Sequence, residues 1–368
     1  MIAMLLFLVS IVLLAAQYVT TGLFLLRLYK RPAQPTTIGQ PRISLVRPVC
    51  GLDQFDAETL ASSFAQNYPD YEIIFCAPTE GDAAVPVVRR LIAQNPGVRA
   101  KLLIGLDHIT GNPKLNNIWK GWHAADADWI CLSDSNLLLP PDYLSQLVAA
   151  WTPQTGLVSS PPTGIRPKGF GGHLECAFLN SNQARLQFAS DSVGHGYAQG
   201  KTLFWNRAML ENAGGVQALG RHLAEDVTST KIVRGLGKRV QLTRLPFAQP
   251  IGQRSIAQVW DRQMRWSRVR RDGFPLIFGV EFINGAVFAT VLFAMAAGLI
   301  GLAPFWTLAF LILWYVPEIV LMRLAGWPFG GMAIAALPLR DLMMPAIWVG
   351  TFAKRGIAWR GTTMAVPE

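Results

Sequence analysis

The chain has 368 residues, of which 51% are hydrophobic and 15% are charged, and its formal net charge is +10. This excess of apolar over charged residues argues against an ordinary soluble enzyme and predicts membrane segments. The basic residues are not gathered in one tail or run, so the charge favours the cytoplasmic face of a membrane over a nucleic-acid partner. Four widely spaced cysteines without a CxxC pair favour buried free thiols over a zinc site or a disulfide framework.

The chain begins with an uncharged apolar run, residues 1–26, which three basic residues follow: Arg27, Lys30 and Arg31. The run has no basic region before it and no small-residue cleavage pattern after it. It therefore predicts an uncleaved transmembrane helix and not a signal peptide. The basic residues place the next domain in the cytoplasm. Proline and glycine within residues 27–41 are typical of a linker.

Residues 42–273 alternate short apolar runs with segments of helical periodicity, which predicts an α/β domain with a mostly parallel, mixed sheet. We expect strands at residues 43–48, 72–76, 100–104, 128–132, 156–159 and 201–205. We expect helices at residues 57–66, 85–93, 114–124, 173–187 and 222–233. The chain has no GxGxxG motif after a strand and no Walker motif, so neither of those nucleotide-binding classes is predicted.

The fourth predicted strand leads into Asp134, which is flanked by Ser133 and Ser135. Open α/β sheets bind ligands at the carboxyl ends of their strands. One carboxylate with small neighbours there suits Mg²⁺ or Mn²⁺ that carries a diphosphate. An aspartate at a strand end is also a common turn former, so the residue alone leaves both interpretations open.

Other charged residues also have two interpretations. Lys114 either contacts a donor phosphate or is a solvated helix residue. Glu225 and Asp226 either take part in chemistry or stabilise the start of a helix through its dipole. Helical spacing places Arg262, Arg265 and Trp266 on one face, which suits a diphosphate leaving group. The remaining arginines of this interfacial helix fit a contact with anionic lipid: Arg268, Arg270 and Arg271.

A second apolar region covers residues 274–352. Its uncharged part, residues 282–317, would reach about 54 Å as one helix against about 30 Å of hydrocarbon. We therefore predict two spans joined near residues 298–304. The rest, residues 330–352, contains two prolines and a charged pair, and we expect either a third span or a re-entrant segment. Residues 353–368 form a basic tail.

Three aspartates followed by an Arg-x-x-Arg-Trp motif resemble the signature of the ceramide glucosyltransferase family, membrane glycosyltransferases with a GT-A fold. The aspartates are Asp82, Asp134 and Asp226, and the motif is residues 262–266. Shorter matches extend the resemblance over nearly the whole chain, at residues 44–48, 51–53, 68–72, 112–117 and 224–226.

The resemblance implies an inverting glycosyltransferase of the bacterial inner membrane, with several membrane passes and a cytoplasmic catalytic domain. It would move a hexose, glucose, from a UDP-sugar to the hydroxyl of a membrane lipid such as ceramide, forming a β-glycolipid. Asp226 would be the catalytic base, and Asp134 would hold Mg²⁺ or Mn²⁺. Donor-binding roles are implied for Asp82, Lys114, Arg262, Arg265 and Trp266.

The chain departs from the family pattern in ways that leave the acceptor open. Asn136 stands where a two-carboxylate DxD motif would have its second aspartate, and Gln183 stands where animal members carry a functional histidine. Ceramide, diacylglycerol and hopanoid lipids are all acceptors of bacterial relatives. A polysaccharide synthase of the same fold would need more membrane spans, and a non-catalytic membrane scaffold would not need the three aspartates.

Overall fold

The computed structural model of the chain describes residues 1–29, 37–353, 356–359 and 362–364. Residues 30–36 of the predicted linker, and Lys354, Arg355 and Arg360 of the predicted tail, lie outside the described residues. The chain forms two compact units. We call one the sheet unit (Arg31–Thr163, Ser190–Gly252 and Gly356–Glu368) and the other the helical unit (Met1–Lys30, Gly164–Ala189 and Gln253–Arg355).

Among the described residues the strands are β1 (Ile43–Pro48), β2 (Tyr71–Ala77), β3 (Ala100–Ile104), β4 (Trp129–Ser133), β5 (Thr155–Ser159), β6 (Pro162–Lys168), β7 (Thr202–Asn206), β8 (Arg239–Leu242), β9 (Phe247–Gln253), β10 (Ile357–Trp359) and β11 (Thr362–Met364).

The α-helices are α1 (Ile2–Tyr29), α2 (Asp56–Ala61), α3 (Ala84–Gln94), α4 (Pro113–His123), α5 (Tyr143–Ala149), α6 (Gly169–Cys176), α7 (Arg185–Ser192), α8 (Arg207–Asn212), α9 (Gly215–Ala218), α10 (Glu225–Gly235), α11 (Ile256–Gly273), α12 (Pro275–Gly279), α13 (Ala286–Leu299), α14 (Phe305–Leu324) and α15 (Gly331–Thr351). A π-helix (Ala177–Ala184) joins α6 to α7, and single 3₁₀ turns occur at Ser62–Ala65, Leu219–Arg221 and Glu281–Ile283.

The sheet unit is built on a seven-stranded sheet in the order β3-β2-β1-β4-β7-β5-β8. The pairs β1–β2, β1–β4, β2–β3 and β5–β8 are parallel, whereas β7 is antiparallel to both β4 and β5. The prediction of a mostly parallel, mixed sheet is therefore confirmed. The antiparallel register pairs Ser133 with Thr202, so β7 begins at the edge where β4 ends.

The central strands are continuous apolar runs because both faces of the sheet are covered. Neighbouring residues of β1 point to opposite faces, and Leu45 and Val46 accordingly belong to different core clusters. Trp122 of α4 packs on the Val46 side, and Tyr143 of α5 packs on the Leu45 side. Three of the four free cysteines are buried in this chain, as expected: Cys76, Cys131 and Cys176.

Among the residues that the structure describes, three helices of the helical unit are long and apolar enough to cross a membrane: α1, α14 and α15. The first, α1, continues three residues beyond the predicted span, because a helix does not have to end where its apolar run ends. Two helices cover the region of the two predicted spans, since α13 ends at Leu299 and α14 begins at Phe305, and that both cross the membrane stays a prediction. With 14 residues, α13 is shorter than the others.

The third apolar zone is one unbroken helix, α15, although it contains two prolines and a charged pair. Its Arg340 is buried and donates to Glu318 of α14 at 2.7 and 3.0 Å and to Asp341 at 2.8 Å. Asp341 also accepts from the backbone of Ala286 at 2.9 Å. Because each charge has a partner inside the helical unit, these residues are accommodated between apolar helices.

Candidate active site

The carboxyl edge of the sheet carries a compact group of charged side chains, which we call the edge cluster: Lys114, Asp134, Lys201, Glu225 and Asp226. Asp134 directly follows β4, and Lys201 directly precedes the antiparallel strand β7. The backbone N–H of Asp134 donates to the carbonyl of Lys201 at 3.2 Å. The β4–β7 pairing therefore brings the two side chains together.

Lys114 lies at the start of α4 and connects the two halves of the edge cluster. Its Nζ is 2.6 Å from Oδ1 of Asp134 and 2.6 Å from Oε1 of Glu225, and it donates to the carbonyl of Gly200 at 2.6 Å. Asn112 caps α4 with its side chain and also donates to Oε2 of Glu225 at 3.1 Å. Lys114, whose side chain is 13% exposed, is thus an ion-pair partner and not a solvated helix residue.

Asp134 is held as an ionised carboxylate. Burial alone would raise its pKa, but the charges of Lys114 and Lys201 outweigh burial and hold the pKa of Asp134 well below its usual range. Lys201 lies 3.0 Å from Oδ2 of Asp134 and donates to Oδ1 of Asn136 at 2.8 Å. For Lys114, burial alone would lower the pKa, but the negative charges of Asp134 and Glu225 outweigh burial and raise it.

The loop after β4 is positioned by Arg47, a fully buried residue of β1. Its guanidinium donates to the carbonyls of Asp134, Ser135 and Leu137 at 2.7, 3.0 and 2.9 Å. Burial lowers the pKa of Arg47 to about 10, even though several neighbouring groups act in the opposite direction. These bonds fix the backbone that presents the Asp134 carboxylate.

Asp226 lies in the first turn of α10, whose N-cap residue is Ala224 and has no side-chain cap bond. Its Oδ2 accepts from the backbone N–H of Gly200 at 2.9 Å, and its Oδ1 accepts from that of Val227 at 2.8 Å. Burial and the neighbouring charge of Glu225 raise the pKa of Asp226 to about 6, although Gly200 and Lys114 act against the shift. A carboxylate with this pKa can accept a proton near neutral pH.

Gly200 brings two chemical groups together because it lacks a side chain. A Cβ at this position would lie 2.6 Å from Oε1 of Glu225 and 3.4 Å from Nζ of Lys114. Its carbonyl binds Lys114 and its N–H binds Asp226. A larger residue would therefore collide with the Glu225 carboxylate and crowd the Lys114 ammonium group.

Asp82 is on the same edge of the sheet, in the loop after β2 and two strands away from β4. Both of its carboxylate oxygens accept from the backbone N–H of Gly51 at 2.9 Å, and Oδ1 accepts from that of Ala84 at 2.8 Å. Asp82 therefore joins the loops that follow β1 and β2. Its expected contact with the uridine or ribose stays a prediction.

Arg262, Arg265 and Trp266 lie on α11 of the helical unit. Arg262 is paired with the buried carboxylate of Glu175 at 2.6 Å, and its guanidinium lies 6.0 Å from the centre of the Trp266 ring. The predicted common face is thus observed for Arg262 and Trp266. Their expected roles beside a departing diphosphate, and that of Arg265, stay predictions.

The residues at the edge cluster fit a divalent cation that arrives with a diphosphate. Asp134 offers an ionised carboxylate, and carboxylate oxygens suit Mg²⁺ and Mn²⁺. No group of three or more histidine, cysteine, aspartate or glutamate side chains suited to a metal occurs among the described residues. A single protein carboxylate is enough when the substrate phosphates supply further ligands.

Sequence reasoning missed Lys201, Arg47 and the ion-pair role of Glu225. Lys201 is 67 positions from Asp134 in the chain, and only the antiparallel register of β7 brings it close. An arginine inside an apolar strand was a usable signal for Arg47, because a buried charge needs partners.

Comparison with solved structures identifies the fold as that of the GT-A glycosyltransferases. A mannosyltransferase from Pyrobaculum calidifontis, solved with GDP-Man and Mn²⁺, superposes with a TM-score of 0.54 at 18% identity. The match covers 95% of this chain and 98% of that one. The likeness is one of fold, and it extends over both units.

The family model of glycosyl transferase family 21 matches residues 5–368, and the chain belongs to this family. Ceramide glucosyltransferase 1 of Caenorhabditis elegans is 26% identical over 263 residues, which are 71% of this chain and 56% of that protein. Ceramide glucosyltransferase 3 of the same organism is 26% identical over 331 residues, 87% of this chain and 72% of that protein. The chain thus spans little more than half the length of the first of these relatives.

Proposed function

We propose that the protein is an inverting hexosyltransferase that moves glucose from UDP-glucose to the hydroxyl of a membrane lipid such as ceramide. Membership of glycosyl transferase family 21 and the two ceramide glucosyltransferase relatives support this substrate pair. The observation that carries the proposal is the state of Asp226. This carboxylate belongs to the edge cluster at the ligand-binding edge of the sheet, and its pKa is raised to about 6.

Asp226 acts as the general base in this proposal. The lipid hydroxyl oxygen attacks the anomeric carbon while the bond from that carbon to the diphosphate oxygen breaks. The hydroxyl proton passes to Asp226, and UDP leaves with the bonding electrons. Attack by one nucleophile on the face opposite the leaving group inverts the anomeric carbon, so an α-linked donor yields a β-glycolipid.

Lys114 and Lys201 are suited to the diphosphate, because ammonium groups can pair with phosphate oxygens as well as with Asp134. Asp134 and Asn136 would hold Mg²⁺ or Mn²⁺. When bound, the cation would neutralise negative charge that develops on the departing diphosphate. Arg47 would keep the loop that carries Asp134 in place while the two lysines exchange the Asp134 carboxylate for phosphate oxygens.

We propose a multi-pass protein of the bacterial inner membrane with its sheet unit in the cytoplasm. The apolar helices α1, α14 and α15 support the membrane location. Many apolar side chains of α1 are exposed, including Leu5, Leu8 and Val12, as expected of a lipid-facing helix. A cytoplasmic sheet unit would meet UDP-sugars, while the lipid acceptor stays in the bilayer.

The test is transfer from radiolabelled UDP-glucose to separate vesicles that contain ceramide, diacylglycerol or a hopanoid, followed by chromatography of the lipids. We expect a labelled glycolipid with ceramide whose glucose is removed by a β-glucosidase and not by an α-glucosidase. A water-soluble polymer would instead indicate a polysaccharide synthase. Absence of any labelled product with every donor and acceptor would support a non-catalytic scaffold and overturn the proposal.

A further inference from the structure

The helical unit contains a polar cluster on α6, the π-helix and α11, at Glu175, Gln183, Arg262 and Gln263. Two hydrogen bonds connect these segments. Arg262 donates to Oε1 of Glu175 at 2.6 Å, and Nε2 of Gln183 donates to Oε1 of Gln263 at 2.9 Å. Glu175 is 1% exposed and Gln263 is 2% exposed, whereas Gln183 and Arg262 are half-buried, so only the first two side chains are shielded from water.

Each bond leaves polar atoms without a partner among the described residues. These atoms are Oε2 of Glu175, Oε1 of Gln183 and Nε2 of Gln263. Rotating both glutamine amides by 180° would make Gln263 the donor and Gln183 the acceptor. It would again leave one amide NH₂ group and one amide oxygen without a partner. Buried polar groups in native proteins normally have partners, so these atoms are available to the polar groups of a ligand.

The backbone at this place is also unusual. Residues Ala177–Ala184 form a π-helix of eight residues between two α-helices, and Gln183 lies within it. π-Helices are rare, and they occur frequently at functional sites. Their wider turn shifts the side chains that follow relative to those of an α-helix. This local geometry and the unpartnered atoms are independent signs of a binding site.

The free atoms define the chemistry of the ligand. Two of the three are acceptors, one of them a carboxylate oxygen, so a phosphate or another anion would be repelled. Two acceptors require two O–H or N–H donors on the ligand, and the free amide NH₂ of Gln263, with its two N–H donors, requires at least one acceptor. A hydroxylated amide has this set. Diacylglycerol has only one hydroxyl donor and does not.

We propose that Glu175, Gln183 and Gln263 bind the polar headgroup of the lipid acceptor and select a hydroxylated amide such as ceramide over diacylglycerol. This inference rests on the proposed function. It assigns the acceptor preference to the helical unit, which carries the long apolar helices that suit the acyl chains of such a lipid.

The test compares the wild-type protein with Gln183→Leu/Gln263→Leu and with Glu175→Gln. The double change removes both partners of one bond together and so leaves neither stranded. Glu175→Gln keeps the side-chain shape and removes the charge. Asn182→Leu is the matched control, because Asn182 is a half-buried amide on the same π-helix whose Nδ2 contacts the sulfur of Met344.

Two quantities are measured: the ratio of kcat/KM for ceramide to kcat/KM for diacylglycerol, and binding of a fluorescent ceramide in detergent without UDP-glucose. Loss of one or two hydrogen bonds should lower the ratio and weaken ceramide binding by about tenfold or more. The KM for UDP-glucose should move less than the KM for ceramide. Asn182→Leu should leave both measured quantities close to wild type.

An unchanged ratio and unchanged ceramide binding in a folded double variant, or an equal effect of Asn182→Leu, would overturn the inference. If the double variant does not fold, Glu175→Gln tests the inference by the same two measurements. An unchanged ratio and unchanged ceramide binding in that variant would overturn it. A wild-type protein that transfers to no lipid would contradict the proposed function, whereas ceramide binding would still test this site.

Discussion

At the scale of single residues, Asp226 could be the general base or could serve only to hold the start of α10. Its two hydrogen bonds, from Gly200 and Val227, are compatible with both roles. The raised pKa favours the base, since a purely structural carboxylate gains stability when its partners lower its pKa. A neutral side chain of the same shape at position 226 distinguishes the two roles. It should preserve the transfer rate if Asp226 is only structural, and it should lower the rate if Asp226 is the base.

We expect Asp226→Asn to fold and to bind UDP-glucose, while transfer falls about a hundredfold or more. Asparagine keeps the size and one acceptor oxygen but cannot take a proton. The comparison uses kcat from radiolabel transfer and nucleotide binding by calorimetry, with the exposed Asp128→Asn as control. Near-normal transfer would show that the base lies elsewhere.

Glu225→Gln should reduce transfer less than Asp226→Asn, because Glu225 supports Lys114 at 2.6 Å and does not receive the proton. The change removes a charge from a buried pair, so it should instead lower the free energy of unfolding by about 1.5–3 kcal/mol. Paired kinetics and denaturant unfolding in detergent check this. A rate loss as large as that of Asp226→Asn would contradict the assignment of the base.

The pH dependence tests the same residue. With a pKa of about 6, Asp226 is mostly ionised at pH 7.5 and becomes protonated as the pH falls. Only the ionised form accepts a proton, so kcat/KM should fall about tenfold per pH unit below pH 6. The pKa of Asp134 is held far lower and should not contribute. A flat profile down to pH 4.5 would argue against Asp226 as base.

Asp134 is expected to make activity depend on a divalent cation. Excess chelator should abolish transfer, and added Mg²⁺ or Mn²⁺ should restore it. Asp134→Asn should weaken donor binding as well as the rate, since the carboxylate would bridge the cation and the enzyme. Turnover that survives excess chelator would refute the dependence, and two lysines would then carry the diphosphate alone.

At the scale of elements, the close approach of α4 to the sheet positions Lys114. The approach depends on Gly121, where a Cβ would lie 2.5 Å from Sγ of Cys76 and 2.8 Å from Cγ1 of Val46. Both neighbours are fully buried, so neither can move away freely. The helix that carries Lys114 in its first turn is thereby fixed against β1 and β2.

Gly121→Ala should destabilise the protein by about 1–3 kcal/mol through overpacking, even though alanine is the better helix former. Gly235→Ala is the control, because it also lies in a helix but meets nothing within 4 Å. The control should be neutral or stabilising in denaturant unfolding monitored in detergent. A stabilising Gly121→Ala would show that α4 can shift on the sheet.

At the scale of the whole molecule, the membrane topology decides whether the sheet unit can meet its donor. By the positive-inside rule, the basic residues at and after the end of α1 and the arginines of α11 predict that this unit lies in the cytoplasm. Protease added to right-side-out vesicles should therefore leave residues 42–273 intact, and it should cut them in inverted vesicles. Cleavage in intact right-side-out vesicles would overturn the orientation.

The sequence by itself determined the class of fold and most of its elements. Alternating apolar runs and helical periodicity are local signals, so β1, β3 and α4 lie within one residue of their predicted bounds. The same holds for the end of β4 beside Asp134. The short helices α5, α8 and α9 and the strands β8 and β9 were not predicted, because short elements depend on packing more than on local pattern.

Only the tertiary structure decided which charges meet. Lys114, Asp134, Lys201 and Glu225 come from four separate parts of the chain, and their ion pairs depend on strand order and on the direction of β7. The unpartnered atoms of Glu175 and Gln263 likewise exist only because two helices pack together. Local patterns carry no information about such pairings, since a charged side chain acts over a few ångströms in space and not over positions in sequence.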